Sequence, residues 1–191
     1  MKVSKDHGTA FAWLGVTGVA VFVFSWLCAA SADSAWQFGV NTLSELGVSD
    51  TDASCYFNLG CCAVTGILIA ALGCGRTIYS KNAGHIACGV LLAFGGILLV
   101  LVGVFTMDTD EHKVIAVSAA LFLFMGIIAA TAGNWVADRK IFAGAGIVII
   151  FMLVAMFFAY DTAEFEAYGI ILAMVWFLLE SVNMILSGKK N

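Results

Sequence analysis

Six long apolar stretches alternate with polar connectors along the chain, at 8–30, 53–75, 86–105, 113–135, 142–160 and 167–186. Each approaches the ~20 residues that cross a bilayer core of about 30 Å. A membrane β-barrel would instead show ~10-residue segments of alternating polarity, and no such alternation is present. The pattern predicts six helices joined by short turns, with one longer loop at 31–52. Within that loop Trp36, Val40, Leu43 and Gly47 recur at helical spacing, which predicts a short helix lying in the membrane interface. Asp50, Thr51 and Asp52 then offer capping oxygens to the second span.

Composition agrees with that pattern. Of 191 residues, 62% are hydrophobic and 12% charged, and proline is absent. A soluble domain carries about 25% charged residues, so too little polar surface remains to coat a water-soluble body. The first stretch has Lys2 and Lys5 ahead of it and Ala30-Ser31-Ala32 behind it, in the manner of a cleaved signal. Its apolar core exceeds the roughly 7–15 residues of a signal sequence, so a retained helix is expected.

Sorting the charges by span changes the picture most. Lys2, Lys5, Arg76, Lys81, Arg139, Lys140, Lys189 and Lys190 fall at the termini or in the second and fourth connectors, against Lys113 alone on the other side. The positive-inside rule then makes both termini cytoplasmic. The outer side collects Asp33, Glu45, Asp50, Asp52, Asp108, Asp110, Glu111, Asp161, Glu164 and Glu166. Such a rim either serves solubility or attracts cationic groups. The reading is an all-α integral membrane protein, one domain over 1–191, a six-transmembrane-helix bundle in the cell membrane.

Helices in lipid associate through small residues spaced by four. Cys62, Gly66, Ala70 and Cys74 form such a ladder in the second span, with Gly89 and Ala93 in the third and Gly126, Ala130 and Asn134 in the fourth. The same faces would serve a homo-oligomer. Unbroken helices are expected without proline.

The loop carries Asn41-Thr42-Leu43-Ser44-Glu45-Leu46-Gly47, followed by Phe57-Asn58-Leu59-Gly60, then Gly103-Val104-Phe105, with His112 beyond. In order and spacing these resemble an archaeal and bacterial membrane family, domain of unknown function 998. Its pattern has a Ser-Glu-Leu-Gly-like element, a Phe-Asn-x-Gly element and a Gly-x-Phe segment before a histidine. Thr106 stands where that pattern has proline. The resemblance spans nearly the whole chain and implies a polytopic membrane protein, with no reaction attached.

Candidate chemistry concentrates in few residues. Asp108, Glu111 and His112 would share one helical face if a helix began there, offering an acid–base pair or metal ligands. The same Asp-x-x-Glu spacing, repeated at Asp161 and Glu164, also suits helix capping. His112 is a candidate general base, oriented by Asp108 or Glu45. Glu45, Asn58, His112 and Asp161 are expected to converge at an acidic outer mouth as ligand-binding residues. Glu180 is the one acid within a predicted span, about 9 Å from its inner end by helix rise. It is either a functional group or a partner of Asn183 or Asn134. Cys28 and Cys55 would bond only if their helices adjoin. Neither a Walker loop nor a dinucleotide fingerprint is present, so no cofactor is assigned. The inner bases suit anionic membrane lipids and not nucleic acid.

Three functions remain open on these grounds. The first is binding or transport of a cationic or amphipathic small molecule or lipid through the outer mouth. The second is a membrane-embedded lipid-modifying enzyme built on His112 and carboxylates. The third is a structural or regulatory membrane component.

Overall fold

In a bilayer every backbone amide must find its partner within the chain, and an apolar run meets that demand by coiling into helix. The computed structural model, which describes residues 5–189, follows this rule through six apolar helices long enough to cross a membrane. Helix α1 is Lys5–Ala32 and a single turn, α2, is Leu43–Leu46. The second span joins α3 (Ala53–Cys55), a π-helix over Tyr56–Val64 and α4 (Thr65–Tyr79). The rest are α5 (Ala83–Val104), α6 (His112–Val136), α7 (Lys140–Ala159) and α8 (Thr162–Lys189).

Each spanning helix packs on its neighbours in sequence, and α8 closes back on α1. The chain is thus a multi-pass helical bundle with two distinct ends. We call the end carrying 33–52 the loop end and the opposite one the terminal end. Around the loop end Phe22, Trp26, Leu43, Leu46, Phe57 and Val102 form one buried cluster. Farther along the bundle Ile69, Leu72, Leu92, Ile127, Trp176 and Phe177 form another.

Small residues set the α4–α5 contact, though not quite the expected set. A methyl group on Gly66 would lie 2.6 Å from the Gly96 carbonyl oxygen, and one on Gly73 2.5 Å from that of Gly89. Gly66, Ala70 and Gly73 therefore make the seam, whereas Cys74 is exposed. Gly89 and Ala93 face it from α5 as expected.

Two boundaries move far enough to matter. The second span runs to Tyr79, not 75, which takes Arg76 out of the connector and into the bundle. The last begins at Thr162, not 167, which brings Glu164 and Glu166 into the helix. The loop departs too. Its helix is only Leu43–Leu46; Trp36 instead donates from Nε1 to the Thr42 carbonyl at 2.9 Å, and Gly39 turns the chain at φ 74°. That bond pins a fold-back, so no continuous helix joins Trp36 to Gly47. Val40, placed on the buried stripe by its spacing, is exposed.

Candidate functional site

At the loop end, α2 is wedged into the bundle by Leu43 and Leu46, both buried. Glu45 fixes its start: the carboxylate accepts from the Thr42 backbone N–H at 2.8 Å, the Thr42 hydroxyl at 3.0 Å and the Asn41 amide at 2.7 Å. This is the carboxylate half of a capping box. Partial desolvation pushes the Glu45 carboxyl up, but these donors outweigh it and hold the group below its usual range. Glu166 reaches in from α8 and accepts from the Leu43 N–H at 2.9 Å.

The π-helix contributes Asn58. Its side-chain amide donates to the Gly47 carbonyl at 2.8 Å. On the other face a methyl group on Gly103 would lie 2.7 Å from the Asn58 carbonyl oxygen, so α5 meets the π-helix with no room for a side chain. The widened winding is itself helped by Thr65, whose hydroxyl donates to the Gly60 carbonyl at 2.9 Å. Nothing in the hydrophobic pattern signals this change of winding.

His112 closes the assembly. Its Nδ1 lies 2.7 Å from the Phe105 carbonyl oxygen and its Nε2 3.0 Å from the Ser44 hydroxyl. A carbonyl only accepts, so Nδ1 carries the proton and, in the neutral ring, Nε2 accepts from Ser44. His112 is 8% exposed, whereas Ser44 is half-buried.

The expected partners of His112 are therefore corrected. A backbone carbonyl orients the ring, not Asp108 or Glu45. Helix α6 begins only at His112, so Asp108 and Glu111 precede it and share no helical face with it. Asp108 is exposed and accepts from the Thr106 hydroxyl, which draws its carboxyl below the usual range. Among the described residues no three His, Cys, Asp or Glu side chains group as metal ligands. Capping is not the role of Asp108 either, but it is that of Asp161, which accepts from the Glu164 N–H at 2.9 Å. Thus Glu45 caps α2 from within, Asn58 and His112 each bond a residue of the 44–47 turn, and Asp161 is spent on the start of α8. Cys28 and Cys55 are both free.

At the terminal end stands a second polar cluster. Arg76 and Glu180 form a buried ion pair. Asn134 donates to the other Glu180 oxygen at 2.9 Å, and Asn183 donates to Asn134 at 2.7 Å and to Glu180 at 3.2 Å. His85 lies 2.9 Å from the Asn134 oxygen, and Arg139 donates to Asn183 at 3.1 Å. The Arg76 Nε is buried without a hydrogen-bond partner among the described residues. Glu180 thus has both asparagines as partners. The sequence reading missed Arg76 and His85. A positive charge directly after an unbroken apolar run, together with a lone intramembrane acid, was the available signal.

A family model described as protein of unknown function DUF998 matches residues 16–183. The chain belongs to the DUF998 family. Comparison with curated proteins yields no match, and neither does comparison with solved structures. In this DUF998 chain the matched stretch holds both polar clusters, from Ser44, Asn58 and His112 to Arg76, Glu180 and Asn183. The motifs that carry the resemblance are neighbours in space: Ser44 meets His112, Asn58 meets Gly47, and Gly103 seats against Asn58.

Proposed function

We propose that this protein binds an amphipathic molecule with a cationic head, a lipid or lipid-like amine, at its loop end, which faces outward. The carrying observation is a groove of about 470 Å³ where α1 meets the second span. Phe24, Leu27 and Tyr56 give it apolar walls, and Asp52 stands among its lining residues together with Ser31. An open apolar groove beside a carboxylate suits an alkyl chain below a positive head. Orientation follows from the eight basic residues of the opposite side. The other acids of the loop end, Asp50, Asp108, Asp110 and Glu111, would raise the concentration of cations at that end. Binding is favoured over conduction because Ile69, Leu72, Leu92, Ile127 and Trp176 fill the bundle beyond α2.

The test is thermal unfolding in nanodiscs with added dodecylamine or dodecyl sulfate. Stabilisation by the amine alone, reduced in Asp52→Asn, supports the reading; equal response to both amphiphiles contradicts it. A second reading, transport, rests on the Arg76–Glu180 pair, since ionised groups inside a membrane usually serve movement of ions or protons. It requires amine uptake into proteoliposomes that Glu180→Gln abolishes.

A further inference from the structure

Resting on the loop-end reading above, we propose that Ser44 and His112 are a nucleophile and general base for acyl transfer from an ester-bearing amphiphile. The geometry has the three parts such a pair needs. The Ser44 hydroxyl lies 3.0 Å from His112 Nε2, and the Phe105 carbonyl, 2.7 Å from Nδ1, fixes the tautomer that leaves Nε2 free to take a proton. The base is buried, which locks its orientation, while Ser44 is only half-buried. Glu166 in turn accepts from the N–H of Leu43, the residue before the proposed nucleophile, and so holds its backbone in place.

A purely structural role for this bond is poorly motivated. The loop turn is already held by the Glu45 cap, by Glu166 on Leu43, by Asn58 on Gly47 and by two buried leucines. The pairing also lies at the start of α6, at one end of a helix long and apolar enough to cross a membrane.

The chemistry balances without a further reagent. Ser44 Oγ attacks the ester carbonyl carbon as its proton passes to His112 Nε2. The tetrahedral adduct collapses, the C–O bond to the alcohol breaks, and the alcohol leaves with the proton from Nε2. Water, activated in turn by His112, or a second alcohol then takes the acyl group from Ser44.

The test uses the full chain in diether-lipid nanodiscs, treated with an alkyl fluorophosphonate and mapped by peptide mass spectrometry. Modification of Ser44 is expected, falling about 100-fold in His112→Gln. In the unmodified chain the labelling rate should rise with pH, which needs no variant to fold. An unlabelled Ser44 in protein that dodecylamine still stabilises would overturn the acyl-transfer inference and leave the binding reading standing. Labelling of Ser44 without an amine response would do the reverse. A flat pH profile, or equal labelling in a folded His112→Gln, would overturn the role of His112.

Discussion

Arg76 and Glu180, separated by 104 residues in the chain, form an ion pair that is 3% and 7% exposed within the bundle. Taking both charges out of water is costly, and the two asparagines that complete the site offset part of that cost. Removing one partner leaves the other buried and alone. Arg76→Leu or Glu180→Leu should each lower stability by about 3–5 kcal/mol. The double variant should be less damaged than the sum of the two. Unfolding of all three in one detergent closes the cycle; additive losses would show that the pair is not coupled.

Glycines at close approaches should divide sharply from glycines in the open. Gly103→Ala places a methyl group 2.7 Å from the Asn58 carbonyl and 2.8 Å from Cys62 Cβ. A loss of about 1–3 kcal/mol is expected. Gly144 has nothing within 4 Å, so Gly144→Ala should be neutral or gain up to about 1 kcal/mol through helix propensity. Thermal unfolding of both variants checks the contrast.

The loop turn should loosen in acid. Glu45 is held below its ordinary value of 4.5, so it binds fewer protons in the folded chain than in the unfolded one. Its contribution is then complete above pH 4.5 and is lost as pH falls through the lower folded value. Amide exchange at residues 42–47, corrected for intrinsic rate, should quicken as pH falls below 4.5, and Glu45→Gln should remove that step. Slower exchange on acidification would contradict the sign.

Asp138 turns the chain between α6 and α7 at φ 58°. Aspartate and asparagine tolerate this region, while a β-branched side chain does not. Asp138→Asn or Asp138→Gly should change stability by less than about 0.5 kcal/mol. Asp138→Val should cost about 1–2 kcal/mol, read by thermal unfolding.

The six spans were legible because lipid imposes one simple demand, a sustained apolar run with its hydrogen bonds internal. What lay at their ends was harder. Arg76 reads as an edge charge until Glu180 is known to face it, and that pairing depends on which helices are neighbours. Glu166 reads as one more solvated acid, yet it serves the Leu43 N–H across 123 residues. Ser44 stands off the predicted stripe, and its bond to His112 goes with a fold-back held by the Trp36–Thr42 contact, Gly39 and the Gln37–Asn41 bonds. Asn58 and His112 each bond the 44–47 turn that Glu45 caps, but among the described residues no hydrogen bond joins the three side chains. Asp161 lies apart from them at the start of α8. The carbonyl that orients His112 has no sequence signature, since any residue at 105 supplies one.

The central claim, an amphiphile site at the loop end, is tested most directly by an experimental structure of the protein purified with native lipid. The account predicts ordered density along Phe24, Leu27 and Tyr56, with a polar head at Asp52. A groove holding only disordered chain density, or an ordered ligand seated instead at Arg76 and Glu180, would contradict it.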